Sequence, residues 1–196
     1  MASAAILSGG AARRFGGTDK GALRVAGRTI LDRQLAALTP VSDDIMLVGH
    51  PAPAHDPRLR IVADRSPGLG PLAGLEAALE AAREPVLILL ACDLPFVTTD
   101  LLTYLVSLAD GVDAVVPRDD RGYHPLCAVY DRRCLDVVRR RLQARTLALT
   151  HLFTDVRVRP VPVDDLARFG APRRLLANVN TPADRDDAET LLEHEP

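Results

Sequence analysis

The feature that most constrains the fold of this 196-residue chain is a continuous apolar run, Val86-Leu87-Ile88-Leu89-Leu90, which leads into Ala91-Cys92-Asp93. An apolar run without polar alternation is typical of a strand that is covered on both faces, as in a parallel sheet between two layers of helices. We predict this strand over Pro85 to Ala91. A chain that contains such a strand must also supply helices for both of its faces.

Strand and helix patterns alternate along the rest of the chain. Further strands are predicted over Ala4 to Leu7, Ile45 to Val48, Arg60 to Ala63, Ala114 to Val116, Leu126 to Tyr130 and near Val156 to Val163. Helices are predicted from Leu31 to Leu38 before Pro40, from Leu72 to Ala82, from Thr99 as its cap to Leu108, near Arg132 to Leu142, and from the capping box at Thr181 toward Glu193. This order predicts an α/β fold, a three-layer αβα sandwich with a mostly parallel, Rossmann-like sheet.

Length and composition limit the classes of protein to which the chain can belong. At 196 residues we expect one domain, 1–196, with a sizeable core. A net charge of -2 disfavours nucleic acid or a membrane surface as partner. We find neither a secretory signal nor an apolar run of about 20 residues, so we expect a cytoplasmic protein, and we expect a monomer. Cys92, Cys127 and Cys134 form no C-x-x-C pair and are predicted to be buried thiols.

A glycine-rich loop follows the first predicted strand and contains the only lysine of the chain. Lys20 is one of 24 basic residues, the others being arginine, and it closes the run from Ser8 to Gly21. Glycines let backbone N–H groups approach phosphate oxygens, and Arg13, Arg14 and Lys20 add positive charge. The loop therefore predicts a phosphate site, with a flexible connector as the alternative. Because Gly21 follows Lys20, the P-loop pattern of an NTPase is absent.

Asp93 directly follows the most apolar strand, where an open parallel sheet carries its ligand-binding residues. Mg²⁺ is bound by one or two protein carboxylates and completes its shell with substrate phosphates and water. Asp93 is therefore a candidate Mg²⁺ ligand, and a turn aspartate before Pro95 is the alternative. The phosphate loop, which we expect to face Asp93, favours the metal.

Two other segments combine turn residues with polar side chains. Asp64 ends the third predicted strand and precedes Gly70-Pro71, which either directs a helix N-terminus at an anion or only starts the helix and lets it pack closely. Asn178 and Asn180 precede the last helix, where they either hold a ligand or cap and turn the chain. The proline- and arginine-rich segment from Arg157 to Arg174 is interpreted as a surface excursion over the active site.

Taken in order, these motifs resemble the molybdenum cofactor guanylyltransferases, a MobA-like nucleotidyltransferase family. The resemblance rests on Leu7-Ser8-Gly9-Gly10 through Lys20-Gly21, Gly70-Pro71-Leu72-Ala73-Gly74, Cys92-Asp93-Leu94-Pro95, His124-Pro125 and Asn178-Val179-Asn180-Thr181-Pro182. It implies a fold of the nucleotide-diphospho-sugar transferase type. It also implies transfer of GMP from GTP to molybdenum-loaded molybdopterin, with Mg²⁺ as cofactor and pyrophosphate as second product. Transient contact with other cofactor-biosynthesis or molybdoenzyme-maturation proteins is a further implication.

The resemblance also implies roles for individual residues on the nucleotide side. It places Leu7, Ser8 and Gly9 against guanine and ribose, Asp64 at the nucleoside, and Lys20 at the GTP phosphates. Asp93 would contact both the nucleotide and Mg²⁺, and Lys20 with Arg14 would stabilise charge on the leaving pyrophosphate. His50 stands where many relatives have an asparagine that contacts the nucleotide, and an imidazole can also donate or accept a hydrogen bond.

On the acceptor side the resemblance implies contacts from Asn178 and Asn180 toward the pterin. A basic Gly-Glu-Arg segment of the family is replaced here by Gln143-Ala144-Arg145, which makes Arg145 a candidate for acceptor binding.

Two alternatives remain open. One is a related transferase that uses CTP, such as a molybdopterin cytidylyltransferase, or one that acts on a sugar or alcohol phosphate. In those relatives the loop usually reads Leu-Ala-Ala-Gly, whereas Gly9 stands at the third position here and leaves room for a purine. The other is a non-catalytic nucleotide-binding adaptor of the same fold.

Overall fold

The computed structural model describes residues 1–8, 23–49, 56–179 and 184. The strands in this part of the chain are β1 (Ser3–Ser8), β2 (Arg24–Val25), β3 (Arg28–Thr29), β4 (Asp44–Gly49), β5 (Leu59–Val62), β6 (Val86–Ala91), β7 (Ala114–Asp119), β8 (Gly122–Tyr123), β9 (Cys127–Asp131) and β10 (Val158–Pro162). The helices are α1 (Ile30–Leu38), α2 (Pro71–Ala81), α3 (Thr99–Ser107), α4 (Cys134–Gln143), α5 (Leu149–Leu152) and α6 (Pro172–Leu175), with a 3-10 helix over Val163–Phe169.

The main sheet has the strand order β10-β7-β9-β6-β1-β4-β5, and β8 pairs with β7. β1 is parallel to both β4 and β6, β5 is parallel to β4, and β10 is parallel to β7. β9 is antiparallel to both of its neighbours, β6 and β7. The prediction of a mostly parallel sheet is confirmed, with β9 as the main exception. Seven residues separate β7 from β9, which is too few for the crossover that a parallel connection needs.

Helices cover both faces of the sheet, as the apolar run requires. Ile88 and Leu90 pack on one face in a cluster that includes residues of α1 and α3. Leu87 and Leu89 pack on the opposite face with residues of α2 and α4. All four side chains are fully buried, and burying each contributes about 1.5–3 kcal/mol. The three-layer αβα sandwich is therefore confirmed.

Most predicted strands and helices are present, with most ends within two residues of the predicted ones. The cap of α3 was predicted one residue too late, because the Oγ1 of Thr98 accepts the hydrogen bond from the Leu101 N–H. The Oγ1 of Thr99 instead donates to the Ala37 carbonyl. The helix predicted from Thr181 lies outside the described residues, apart from Asp184.

The segment from Arg157 to Arg174 is not a surface excursion, so that interpretation is wrong. It contributes the edge strand β10, the 3-10 helix and part of α6. Leu166 of the 3-10 helix is buried in the core cluster that also contains residues of α1 and α3. Its prolines are compatible with this position, because an edge strand needs backbone donors on one side only.

The prediction for the cysteines holds for two of them. Cys127 and Cys134 are buried, and burial raises the pKa of each thiol to about 12. Cys92 is only half-buried, because it lies beyond the last residue of β6, where the chain leaves the sheet. Among the described residues, no helix is both long enough and apolar enough to span a membrane.

A buried carboxylate ties together the amino edge of the sheet, the edge at which β1, β4 and β6 begin. Asp44 is 6% exposed and accepts hydrogen bonds from the Ser3 hydroxyl at 2.7 Å, the Arg83 N–H at 3.0 Å and the Arg60 guanidinium at 2.7 Å. The Ser3 hydroxyl in turn accepts from the Arg83 and Glu84 N–H groups. These bonds join β1, β4, β5 and the turn before β6.

We predict that Asp44→Asn lowers the free energy of unfolding by about 1.5–3 kcal/mol, since it weakens hydrogen bonds to a charged group. Burial raises the pKa of the Asp44 carboxyl, but the bonds from Ser3, Arg60 and Arg83 outweigh it and lower the pKa overall. The carboxylate therefore stabilises the fold above its unfolded pKa of about 3.9, and this contribution is lost as the pH falls further.

Urea denaturation at pH 7 and at stepped pH values below 5 measures both effects. The neighbouring exposed Asp43→Asn is the control and is expected to change stability by less than about 0.5 kcal/mol. Equal stability of the Asp44 and Asp43 variants would contradict the role of this network.

Candidate functional site

The order of the strands reverses at β1. β4 and β5 follow β1 on one side, whereas β6, which comes later in the chain, lies on its other side. In open α/β sheets such a reversal leaves a crevice at the carboxyl ends of the two central strands, and ligands bind there. At this carboxyl edge β1 ends with Leu7 and Ser8, and β6 is followed by Cys92 and Asp93. The Cys92 N–H donates to the Leu7 carbonyl at 3.3 Å, so the two chain ends lie side by side.

Leu7 is held against the sheet by α2. Gly70 caps this helix with φ +76°, a conformation that favours glycine, and Pro71 occupies its first turn. One turn later, a Cβ added to Gly74 would lie 3.0 Å from a methyl carbon of Leu7. The motif therefore starts α2 and lets it pack closely on β1, as the second of its two interpretations predicted. Leu7 and Ser8 are both buried as a result.

Asp93 is buried, with 9% exposure, and the turn that carries it is anchored by three other segments. The Asp93 carbonyl accepts the Val179 N–H at 2.8 Å, and the Cys92 N–H donates to β1 as described. From α1, the Nε2 atom of Gln34 donates to the Ala91 carbonyl at 2.7 Å and to the Leu94 carbonyl at 3.2 Å. Gln34 is not predictable as a partner of this turn, because its only signal in the sequence is a glutamine on the apolar face of a helix.

Asn178 lies directly before Val179, whose side chain is buried and whose N–H binds the Asp93 carbonyl. This contact brings the C-terminal segment to Asp93 across more than 80 residues of sequence. Asn178 itself is exposed. The structure therefore brings two of the predicted site residues, Asp93 and Asn178, together at the carboxyl edge.

Asp64 follows β5, on the other side of β1 from Asp93. Three inter-strand spacings of about 4.8 Å separate β5 from β6, which puts the ends of these two strands about 14 Å apart. One carboxylate oxygen of Asp64 accepts the Ser66 N–H at 2.8 Å, so this side chain also shapes the turn toward α2. Asp64 and Asp93 thus bracket the ends of β1 and β4.

His124 extends the same edge beyond β6. The Ala91 N–H donates to the Leu126 carbonyl, which places the segment before β9 beside the end of β6. The Nε2 atom of His124 lies 3.0 Å from a carboxylate oxygen of Asp119 at the end of β7. The contact with His124 lowers the pKa of the Asp119 carboxyl, as do the Arg121 and Gly122 N–H groups. The His-Pro motif therefore borders the crevice.

Arg145 follows α4 and is exposed. Arg132, just before α4, donates to the Ala82 carbonyl at the end of α2, and Arg139 pairs with Glu76 near the middle of α2. Because α2 starts at the carboxyl edge and α4 runs antiparallel to it, α4 leads Arg145 toward that edge. Arg145 has φ +57°, a left-handed conformation that glycine usually occupies after a helix.

The remaining predicted site residues lie outside the described part of the chain. They are Gly9, Arg14, Lys20, His50 and Asn180. Their proposed roles stay predictions.

The donor set at Asp93 suits Mg²⁺. It offers a hard carboxylate oxygen next to a crevice, and Mg²⁺ needs only one or two protein carboxylates when substrate phosphates and water complete its shell. Across residues 1–8, 23–49, 56–179 and 184, no group of three or more His, Cys, Asp or Glu side chains gathers to hold a metal.

Comparisons with known proteins agree with this geometry. A family model described as the MobA-like NTP transferase domain matches residues 4–156. The molybdenum cofactor guanylyltransferase of Desulfosudis oleivorans is 32% identical over 189 residues, which cover 95% of this chain and 94% of the relative. A probable molybdenum cofactor guanylyltransferase of Methanosarcina acetivorans is 34% identical over 204 residues, with 97% and 89% covered.

Solved structures show the same architecture. The molybdopterin-guanine dinucleotide biosynthesis protein A of Archaeoglobus fulgidus superposes with a TM-score of 0.79 at 25% identity, covering 98% of this chain and 100% of that one. The 2-C-methyl-D-erythritol 4-phosphate cytidylyltransferase of Thermus thermophilus, at 18% identity and a TM-score of 0.71, shares the fold over 98% of this chain and 100% of that one. With its sheet, its crevice and these matches, the chain belongs to the MobA-like NTP transferase family of nucleotidyltransferases.

Proposed function

We propose that this protein transfers GMP from GTP to molybdenum-loaded molybdopterin, forming molybdopterin guanine dinucleotide and pyrophosphate. The observation that carries the proposal is the pairing of the β1 and β6 ends, which brings the turn that carries buried Asp93 to the end of β1, where the glycine-rich run begins. Relatives named for this activity, similar over nearly the whole chain, support the choice of substrates.

In this reaction an oxygen of the acceptor phosphate attacks the α-phosphorus of GTP. The new P–O bond forms as the bond to the β-phosphate oxygen breaks, and pyrophosphate leaves in line. The chain needs no nucleophile of its own, because catalysis here consists of aligning two anions and neutralising their charge. Lys20 and Arg14 stabilise the leaving pyrophosphate, and Lys20 does so as a compact charge.

In this proposal Asp93 would hold Mg²⁺, and the ion would supply positive charge that offsets the charge of the phosphate groups during transfer. The separation of about 14 Å between the ends of β5 and β6 leaves room for an extended nucleotide, with Asp64 at the nucleoside and Asp93 at the phosphates. Leu7, Ser8 and Gly9 line the base and ribose between them, and His50 supplies a hydrogen bond to the nucleotide.

Asn178, Asn180 and Arg145 bind the acceptor. The hydrogen bond from the Val179 N–H to the Asp93 backbone carbonyl supports this assignment, because it keeps Asn178 close to the turn that carries Asp93. We further propose that the reaction takes place in the cytoplasm. Cys127 and Cys134 are free thiols, which fits a reducing compartment.

The direct test is incubation of the protein with Mg²⁺, metal-loaded molybdopterin and GTP, CTP or ATP, followed by mass spectrometry of the product and assay of pyrophosphate. We expect the guanine dinucleotide and stoichiometric pyrophosphate with GTP. A clear preference for CTP would contradict the guanylyl assignment. Nucleotide binding without pyrophosphate release would support a non-catalytic adaptor instead.

We predict that Lys20→Ala and Asp93→Ala each lower turnover by about 10²- to 10³-fold, the usual loss when one preorganised charge-stabilising group is removed. Steady-state pyrophosphate release measures the change, and the exposed Asp110→Asn serves as control with activity unchanged. Near wild-type turnover in either variant would remove that residue from the site. Lys20→Arg tests whether an ammonium is required, since full activity with arginine would refute that requirement.

We predict that Arg145→Gly separates stability from acceptor binding. Glycine adopts the left-handed conformation at this position without steric cost, so the free energy of unfolding should be unchanged or higher by up to about 1 kcal/mol. Loss of a charged donor to the acceptor should raise the KM for molybdopterin about tenfold or more, corresponding to about 1.5–3 kcal/mol, and leave the KM for GTP unchanged. Arg140→Ala removes an exposed arginine of α4 and should change neither constant. An unchanged KM for molybdopterin in Arg145→Gly would refute the role.

A further inference from the structure

Gln34 is a fully buried polar side chain whose hydrogen bonds converge on one turn. It has 0% exposure, and its Nε2 atom donates to the carbonyls of Ala91 and Leu94 at 2.7 and 3.2 Å. These two carbonyls stand immediately before and after Cys92-Asp93. The amide of Gln34 therefore closes the backbone turn that presents the Asp93 carboxylate.

Keeping an amide at this position is costly. The Oε1 atom of Gln34 is buried and accepts no hydrogen bond from the part of the chain that the structure describes. Burying a polar group costs free energy that an apolar side chain of similar size does not. Other core positions on α1, such as Leu35 and Leu38, are apolar and fully buried. A side chain that served packing alone would be apolar here as well.

The orientation of the amide follows from its surroundings. With the amide reversed, Oε1 would face two carbonyl oxygens, so the NH₂ group must point at Ala91 and Leu94. The turn is thus held from α1 through Gln34, from β1 through the Leu7 carbonyl and from the C-terminal segment through the Val179 N–H.

Helix α1 is itself fixed to the segment that precedes it. The Ile30 N–H donates to the carbonyl of Leu23, the first residue described after the glycine-rich run. The Arg33 guanidinium donates to the Val25 carbonyl at 2.8 Å. A single rigid helix therefore connects the chain leaving that run to the turn that carries Asp93.

We propose that Gln34 is a positioning residue that holds the Asp93 carboxylate in the orientation required by the nucleotide-bound metal. This inference rests on the proposed function, in which Asp93 is the metal ligand. Groups that orient a ligand without touching the metal typically contribute 10- to 100-fold to metal affinity. Gln34 orients Asp93 through its hydrogen bonds to the Ala91 and Leu94 carbonyls, which flank Cys92-Asp93.

The test uses Gln34→Met, which has similar length but no donor, in the full chain. Mn²⁺ replaces Mg²⁺ as the probe, and its affinity in the presence of saturating GTP is measured by electron paramagnetic resonance. We expect Mn²⁺ to bind about 10-fold or more weakly, with GTP affinity in the absence of metal unchanged. Hydrogen exchange of the segment 91–97 should also become faster. Gln34→Asn keeps the amide but withdraws it by one methylene, and it should give a smaller change in the same direction.

The matched control is Ala37→Gly, a buried position on the same helix. It should lower the melting temperature, because glycine weakens a helix interior, yet leave Mn²⁺ affinity and hydrogen exchange in segment 91–97 at the wild-type level. Wild-type Mn²⁺ affinity in both glutamine variants would overturn the inference and leave the proposed function intact. A wild-type protein that binds no Mn²⁺ with GTP would overturn the proposed function, and with it the metal role of Asp93.

Discussion

The structure depends on the parallel pairing of β1 with β6 in the centre of the sheet. Ile6 pairs with Leu90 in the core on one face of the sheet, and Ala5 pairs with Leu89 in the core on the other face. The two strands therefore contribute to the core under both helical layers. The same ladder brings the carboxyl ends of two segments, far apart in sequence, to one point. There the Cys92 N–H donates to the Leu7 carbonyl, and Asp93 follows directly in the chain. The strands at the centre of the fold thus also form the candidate site.

The two edges of the sheet differ in how their polar groups are held. At the amino edge, the Asp44 carboxylate accepts hydrogen bonds from Ser3, Arg60 and Arg83. These bonds connect β1, β4, β5 and the turn before β6. At the carboxyl edge, polar groups are fixed mainly through the backbone. The Asp93 turn is held by a glutamine amide, a neighbouring strand and the C-terminal segment. A carboxylate whose backbone is held in this way can present its oxygens to a ligand.

Much of this arrangement is predictable from the sequence, because its signals are local. The apolar run before Asp93 predicts a strand covered on both faces, and the alternation of patterns predicts the layers around it. The motif at Gly70-Pro71 likewise predicts the start of α2, which lies at the carboxyl edge. Gly74 shows how a motif residue acts in packing, since its missing side chain lets α2 approach Leu7.

Other features are not predictable, either because their local signals are weak or because they depend on residues far away in the sequence. β9 is antiparallel to β7 because the connection between them is short. The sequence predicted that β7 ends at Val116, whereas it extends to Asp119 and shortens that connection. The hairpin of β2 and β3 turns at Ala26-Gly27 with both φ angles positive, and alanine gives no signal for such a turn. Gln34 contacts residues almost 60 positions away, so that its role becomes visible only when α1 lies against the Asp93 turn.

In the proposed function, the crevice between β1 and β6 binds the metal–nucleotide complex with Asp93 as metal ligand. A crystal structure with Mn²⁺ and α,β-methylene-GTP tests this binding mode, because the anomalous signal of manganese locates the ion directly. We expect the ion on the Asp93 carboxylate, the triphosphate across the end of β1, and the guanosine toward Asp64. A manganese ion or a triphosphate bound away from Asp93 would contradict it.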